Sequence, residues 1–125
     1  MIVREWSVDC HGCQGDLDDA LSIEAALRRG SEAVGAVVLG ASCTRYQPIG
    51  TTVFLPLAES HAMVTTWPEH RFALVSILLC NDKMRPQTIL EAVLAHLKPE
   101  RVQVHETEHT AGETAADFPR ETAAT

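Results

Sequence analysis

Between residues 51 and 80 three strand-like stretches follow one another with only short breaks: Thr51 to Ala58, His61 to Thr66 and Phe72 to Cys80. The last carries Phe72, Leu74, Val75, Ile77, Leu78 and Leu79, and Trp67-Pro68-Glu69 marks the turn before it. Three β stretches in succession, with no helical stretch between them, read as neighbouring antiparallel strands. Such a sheet needs a covering layer, and the flanks supply two helices. From Leu17 to about Val34 the apolar residues Leu17, Ala20, Leu21, Ala25 and Leu27 recur mostly every three or four positions. Asp16 reads as the N-cap, and acid at the start with Arg28 and Arg29 further on suits the helix dipole. After Pro86, which suits a first helical turn, Ile89, Leu90, Val93, Leu94 and Leu97 form a stripe that ends before Pro99.

The remaining segments complete the pattern. Ile2 to Asp9 partly alternates and breaks around Gly12 and Gly15. Ala36 to Leu39 reads as a short buried strand, Arg45 to Gly50 as a loop around Pro48, and Arg101 to Glu106 as a final strand. The order β-α-β-β-β-β-α-β predicts an α+β two-layer sandwich, a mostly antiparallel sheet covered on one face by two helices. Residues 1–107 would form this domain. Glu108 to Thr125, rich in Ala, Thr and Glu without apolar periodicity, reads as a disordered tail.

The chain has 125 residues, 46% hydrophobic and 22% charged, which fits a single domain. Seventeen acidic against ten basic residues give a net charge of −7 and disfavour a nucleic-acid partner. No run of 18 apolar residues occurs, and Met1-Ile2-Val3-Arg4-Glu5-Trp6 lacks the features of a secretory signal, so no membrane partner is expected and the cytoplasm is the expected location. Cys10, Cys13, Cys43 and Cys80 read as thiols rather than a disulfide framework. Cys10-His11-Gly12-Cys13 has the spacing of a metal or redox half-site but no second pair at matching spacing, so it reads as a strand end turning at Gly12, and no metal site is expected.

The reactive side chains concentrate in the centre: Glu59-Ser60-His61, Thr65-Thr66-Trp67-Pro68-Glu69 and Cys80. Taken singly they are bland. Ser60 and His61 on one strand point to opposite faces and cannot form a nucleophile–base pair directly, Trp67 could be packing and Cys80 a small hydrophobe.

Taken together, Tyr46-x-Pro48-x-Gly50, Leu57-Ala58-Glu59-Ser60-His61, Thr66-Trp67-Pro68-Glu69 and Cys80 resemble the prokaryotic S-adenosylmethionine decarboxylases in motif order and spacing. The likeness extends more loosely to Gly12-Cys13 and to Leu97-Lys98-Pro99-Glu100-Arg101-Val102. It implies a self-processing proenzyme: the Ser60 hydroxyl attacks the Glu59 carbonyl, the resulting ester eliminates, and the chain splits between residues 59 and 60. Ser60 then becomes a pyruvoyl group, an electrophilic ketone that accepts the substrate's amine and the electrons left by carbon dioxide.

The same resemblance assigns roles. Cys80 matches a Cys that returns a proton to the α-carbon and assists processing. Thr52 falls where a Ser hydroxyl supports ester formation. Tyr46 takes the place of an aromatic that stacks on adenine, Glu69 that of a carboxylate binding the ribose hydroxyls, and Trp67 belongs to the same turn. There are departures: Thr65 stands where the family has a His used in elimination and in the ligand pocket, Ser76 where it has Asp, Ile49 where it has Gln and Asn81 where it has Gly. His61 and His70 are candidate replacement bases.

Three functions remain open on these residues: an S-adenosylmethionine decarboxylase of polyamine biosynthesis, a pyruvoyl-dependent relative acting on L-ornithine or L-arginine, and an unprocessed homologue serving as dimer partner or regulator. The substrates of the first two are small cationic amino acids. The resemblance also implies a homodimer of processed protomers with sites near the protomer interface.

Overall fold

The computed structural model describes residues 1–112. Its elements are β1 (Ile2–His11), α1 (Ala20–Ala33), β2 (Ser42–Arg45), β3 (Thr51–Leu57), β4 (Ser60–Trp67), a single 3-10 turn (Pro68–His70), β5 (Phe72–Leu79), α2 (Pro86–Leu97) and β6 (Arg101–Thr110). The strands form one six-stranded sheet in the order β2-β3-β4-β5-β1-β6. Every neighbouring pair is antiparallel. The expected two-layer α+β sandwich is the fold observed.

Strict alternation divides the central strands between two faces. Thr51, Val53, Leu55 and Leu57 of β3, Ala62, Val64 and Thr66 of β4, and Ala73, Val75, Ile77 and Leu79 of β5 are buried beneath the helices. Ile23 and Leu27 of α1 and Ile89, Val93 and Leu97 of α2 close this core from above. The opposite face carries Thr52, Phe54, His61, Met63, Thr65, Leu74, Ser76 and Leu78, none of them fully buried, and no element among the described residues covers it.

Four expectations are corrected. Helix α1 begins at Ala20 and is capped by Asp19, whose carboxylate accepts the Ser22 N–H at 3.1 Å, while Asp16 accepts the Asp18 N–H one turn earlier. The Ser22 hydrogen bonds hold the Asp19 carboxyl below its ordinary range. Of the expected dipole pattern the acid lies at the cap, in Asp19, rather than within the first turn, and the last turn carries no base. Ala36 to Leu39 is not a strand: it crosses the end of β3 with a single bridge between Val38 and Leu57, and Val37 and Leu39 are exposed. The second strand lies at Ser42–Arg45, a fully exposed edge whose polar residues carry no burial signal and which is defined by its pairing with β3. Finally, β6 pairs with β1 from Arg101 to Thr110, so Glu108 to Thr110 belong to the sheet rather than to a tail, and the rest of the expected tail from residue 113 lies outside the described residues. No helix among the described residues is long and apolar enough to cross a membrane.

The helices meet closely at Gly30, where a Cβ would come within 2.8 Å of the Ile89 Cα and 3.0 Å of the Ala92 Cβ. Propensity alone makes Gly30→Ala stabilising by about 1 kcal/mol in a free helix. The backbone contact reverses the sign, and we expect a net loss of ~1–2 kcal/mol from overpacking, read as a lower urea midpoint at unchanged slope. A midpoint at or above that of the unmodified protein would show that α1 and α2 can part without cost.

Candidate active site

The β3–β4 hairpin turns in two residues. Leu57 pairs with Ser60, so Ala58 and Glu59 form the turn, and Glu59 takes a left-handed φ of 62°. For a side chain with a Cβ that conformation costs roughly 1–2 kcal/mol, and it sits on the residue immediately before Ser60. Because β4 runs antiparallel to β5, with His61 opposite Leu78, the first residue of β4 lies beside the residue that leaves β5. Ser60 Oγ and Cys80 Sγ are accordingly 3.7 Å apart, with either able to donate. Beside Cys80 opens a cavity of about 260 Å³ whose lining includes Arg4, Trp6, Leu79, Asn81 and Asp82. Arg4 and Trp6 were not singled out from the sequence, because only the β1–β5 register brings them to Cys80.

A second cluster occupies the far end of the same strands. Thr52 and Thr65 are direct cross-strand partners, their hydroxyl oxygens 3.0 Å apart, and the Tyr46 phenol oxygen lies 2.7 Å from that of Thr52. Tyr46 is held there by a closed loop in which its N–H donates to the Gly50 carbonyl and the Gly50 N–H donates to Asp18 Oδ1 at 2.9 Å. Thr66 braces the base of the loop: its hydroxyl accepts the Thr51 N–H at 3.0 Å and donates to the Leu17 carbonyl at 2.8 Å. Trp67 packs against Phe72, with ring centroids 5.6 Å apart, and Glu69 follows on the 3-10 turn. A cavity of about 320 Å³ brings together Tyr46, Ile49, Thr65, Trp67 and Glu69. Asp18 is thus a residue of the site's framework that sequence reasoning missed, since its partner lies 32 positions away.

The structure brings together Ser60, Glu59 and Cys80, and separately Tyr46, Thr52, Thr65, Trp67 and Glu69. It does not bring the two groups together within one chain. Five residue steps along extended β4 separate Ser60 from Thr65, roughly 16 Å. Neither candidate base lies at Ser60: His61 points to the uncovered face with its ring 5.6 Å from that of Phe54, and His70 is exposed on the 3-10 turn. Ser76 lies on the uncovered face between Met63 and Ser7, and the Asn81 side chain accepts the Lys83 N–H in the turn after Cys80.

Cys10 and Cys13 are core residues. The first is fully buried, and burial, helped by Cys13 and Asp9, pushes its thiol up to about 12. Burial also raises Cys13, whose thiol donates to the Cys10 carbonyl across the turn at Gly12, where φ is 64°. Neutral buried thiols in a turn are a structural arrangement, as the strand-end reading expected.

A family model for S-adenosylmethionine decarboxylase matches residues 4–110. An S-adenosylmethionine decarboxylase proenzyme of Brevibacillus brevis is 35% identical over 99 residues, covering 78% of this chain and 74% of that protein. A Bacillus cereus S-adenosylmethionine decarboxylase proenzyme 2 is 36% identical over 104 residues, covering 83% and 81%. The crystal structure of the adenosylmethionine decarboxylase from Aquifex aeolicus matches the fold with a TM-score of 0.78 over 94% of this chain and 98% of that one, at 23% identity. A match across nearly all of the described chain, with relatives above one-third identity, leads to one conclusion: the chain belongs to the S-adenosylmethionine decarboxylase family.

Proposed function

We propose that this chain cleaves itself between Glu59 and Ser60 and, with the pyruvoyl group so formed, decarboxylates S-adenosylmethionine for polyamine biosynthesis. The observation that carries the reading is the 3.7 Å approach of Ser60 Oγ to Cys80 Sγ at the mouth of a hairpin whose turn residue Glu59 is strained. The Ser60 hydroxyl adds to the Glu59 carbonyl carbon, the C–N bond breaks, and the nitrogen takes the hydroxyl proton, leaving an ester and a free amine on Ser60. Removal of the Ser60 α-proton then expels the Glu59 carboxylate with the Cβ–O electron pair. Water replaces the nitrogen, ammonia departs, and residues 1–59 and 60–125 are separate chains.

The residues present fit a ketone at the new terminus, since the Ser60 hydroxyl supplies the leaving oxygen whose loss lets the α-carbon become the carbonyl, Cys80 lies against it and the adjoining cavity leaves room. That ketone supplies the electron sink a decarboxylation requires. Cys80 holds or delivers a proton at this point and is the acid nearest the reacting carbon. Substrate recognition falls to the second cluster. The Tyr46 ring offers a stacking face and the Glu69 carboxylate two acceptor oxygens for a diol, a combination that suits an adenine and its ribose. Ornithine and arginine present neither group, and this favours S-adenosylmethionine over them.

The separation of the clusters is resolved by a homodimer. The uncovered sheet face, with Phe54, Met63, Leu74 and Leu78 half-buried on it, is an apolar surface of the kind that marks an interface. A two-fold axis lying between the two sheets, parallel to them and running across the strands near Met63, would set one protomer's Thr52 and Thr65 opposite the other's Ser60 end of β4, so that each site draws on both chains.

Denaturing mass spectrometry of the purified protein is expected to show two chains. The second, beginning at residue 60, should be lighter by one ammonia than hydrolysis alone would leave, and Ser60→Ala should remain a single chain. An unmodified protein that stays intact would refute the proposed chemistry. For the substrate, Glu69→Gln is expected to weaken binding of S-adenosylmethionine by about 1–3 kcal/mol, the scale of a hydrogen bond to a charged group, read from KM for carbon dioxide release. Release from ornithine or arginine and none from S-adenosylmethionine would keep the cofactor and overturn the substrate.

A further inference from the structure

The second cluster contains a feature that stacking does not use. Tyr46 Oη, Thr52 Oγ1 and Thr65 Oγ1 form one hydrogen-bonded series, with successive separations of 2.7 and 3.0 Å. Two threonine hydroxyls alone are free rotors, each able to donate or accept in either direction. A phenol yields its proton far more readily than an aliphatic alcohol, so its presence at one end gives the series a direction: Tyr46 donates to Thr52, and the Thr52 hydrogen is turned away from Tyr46. Among the described residues no imidazole, carboxylate or basic side chain is hydrogen-bonded to any of the three hydroxyls.

We infer that the Tyr46 hydroxyl is a positioning residue for self-cleavage: acting through Thr52, it aims the hydroxyl pair of one protomer at the Glu59 carbonyl of the other. This role is distinct from that of its ring toward the substrate, and it rests on the composite dimer proposed above. In the ester-forming step the carbonyl oxygen gains negative charge while Ser60 Oγ adds to the carbon. A hydroxyl whose own lone pair is already engaged by a stronger donor is the better donor to that oxygen. No proton need leave Tyr46 for good. It shares its hydrogen with Thr52 while Thr52 shares its own with Thr65 and Thr65 donates to the developing oxyanion, and all return when the C–N bond breaks.

Tyr46→Phe removes the hydroxyl and keeps the ring. Tyr46 is 45% exposed, so the change does not threaten the fold. We expect the rate of cleavage, followed on freshly synthesised chain by denaturing electrophoresis, to fall about tenfold. Residue 65 pairs directly with Thr52, so adding Thr65→His to Tyr46→Phe puts a ring nitrogen within reach of the same hydroxyl. The double variant should recover cleavage and acquire a rate that changes across the range in which imidazole titrates, which Tyr46→Phe alone should not show. Cleavage of Tyr46→Phe at the unmodified rate overturns the inference and leaves self-cleavage standing, as does a slow Tyr46→Phe that Thr65→His fails to restore. An unmodified chain that never cleaves overturns both.

Discussion

The alternation of side chains along β3, β4 and β5 is the constraint from which the rest of the molecule follows. Each strand places every second residue under the helices and the others on a face that no described element covers. The fully buried residues of the covered side are apolar apart from Thr51 and Thr66, and both of these spend their hydroxyls on the backbone. Residues that carry chemistry are excluded from the buried middle of that side because a polar group there must find a partner in the core or cost free energy. They collect instead at the strand ends and on the bare face. There Thr52, Thr65 and Ser76 stand among Phe54, Met63 and Leu74, a mixture that neither a solvent-facing surface nor a sealed core would maintain.

What could be read from the sequence was what periodicity or turn chemistry encodes. The three central strands, the stripe of α2 and the loop around Pro48 lie where the pattern puts them, because each has many apolar positions in phase. The errors occur where register, rather than burial, defines the element. Strand β2 is four exposed residues whose existence depends on β3, and β6 keeps pairing with β1 long after Val104, its last apolar residue. The start of α1 was misplaced because Asp16, Asp18 and Asp19 are all plausible caps. Only the fold shows that Asp16 closes a local turn, Asp18 reaches the Gly50 amide and Asp19 caps the helix.

The site was legible to a different degree. Composition and periodicity left Ser60, Trp67 and Cys80 as unremarkable residues, and motif order made them a set. Even so, motif order says nothing of distance, and the candidate residues fall into two clusters at opposite ends of β4. Asp18 and Thr66 illustrate the remainder. They hold the loop of Tyr46 against the strands through bonds that span 32 and 49 positions, and no local pattern could announce them.

The spacing along β4 also bears on how two protomers could cooperate at one peptide bond. Ser60 and Thr65 are an odd number of positions apart, so alternation turns their side chains to opposite faces of the sheet. Ser60 shares the covered side with Ala62 and Val64, and Cys80 meets it at the hairpin's mouth. Thr65 and Thr52 point out from the bare side. The Glu59 carbonyl itself belongs to the backbone of an exposed turn. In the proposed dimer the attacking hydroxyl and the thiol would therefore approach the carbonyl from one side, while the partner's hydroxyls would meet the developing charge from the other. Attack and stabilisation then require no rearrangement of either sheet. On the proposed arrangement a monomer would supply the first of these and not the second, and assembly would then be a condition of processing rather than its consequence.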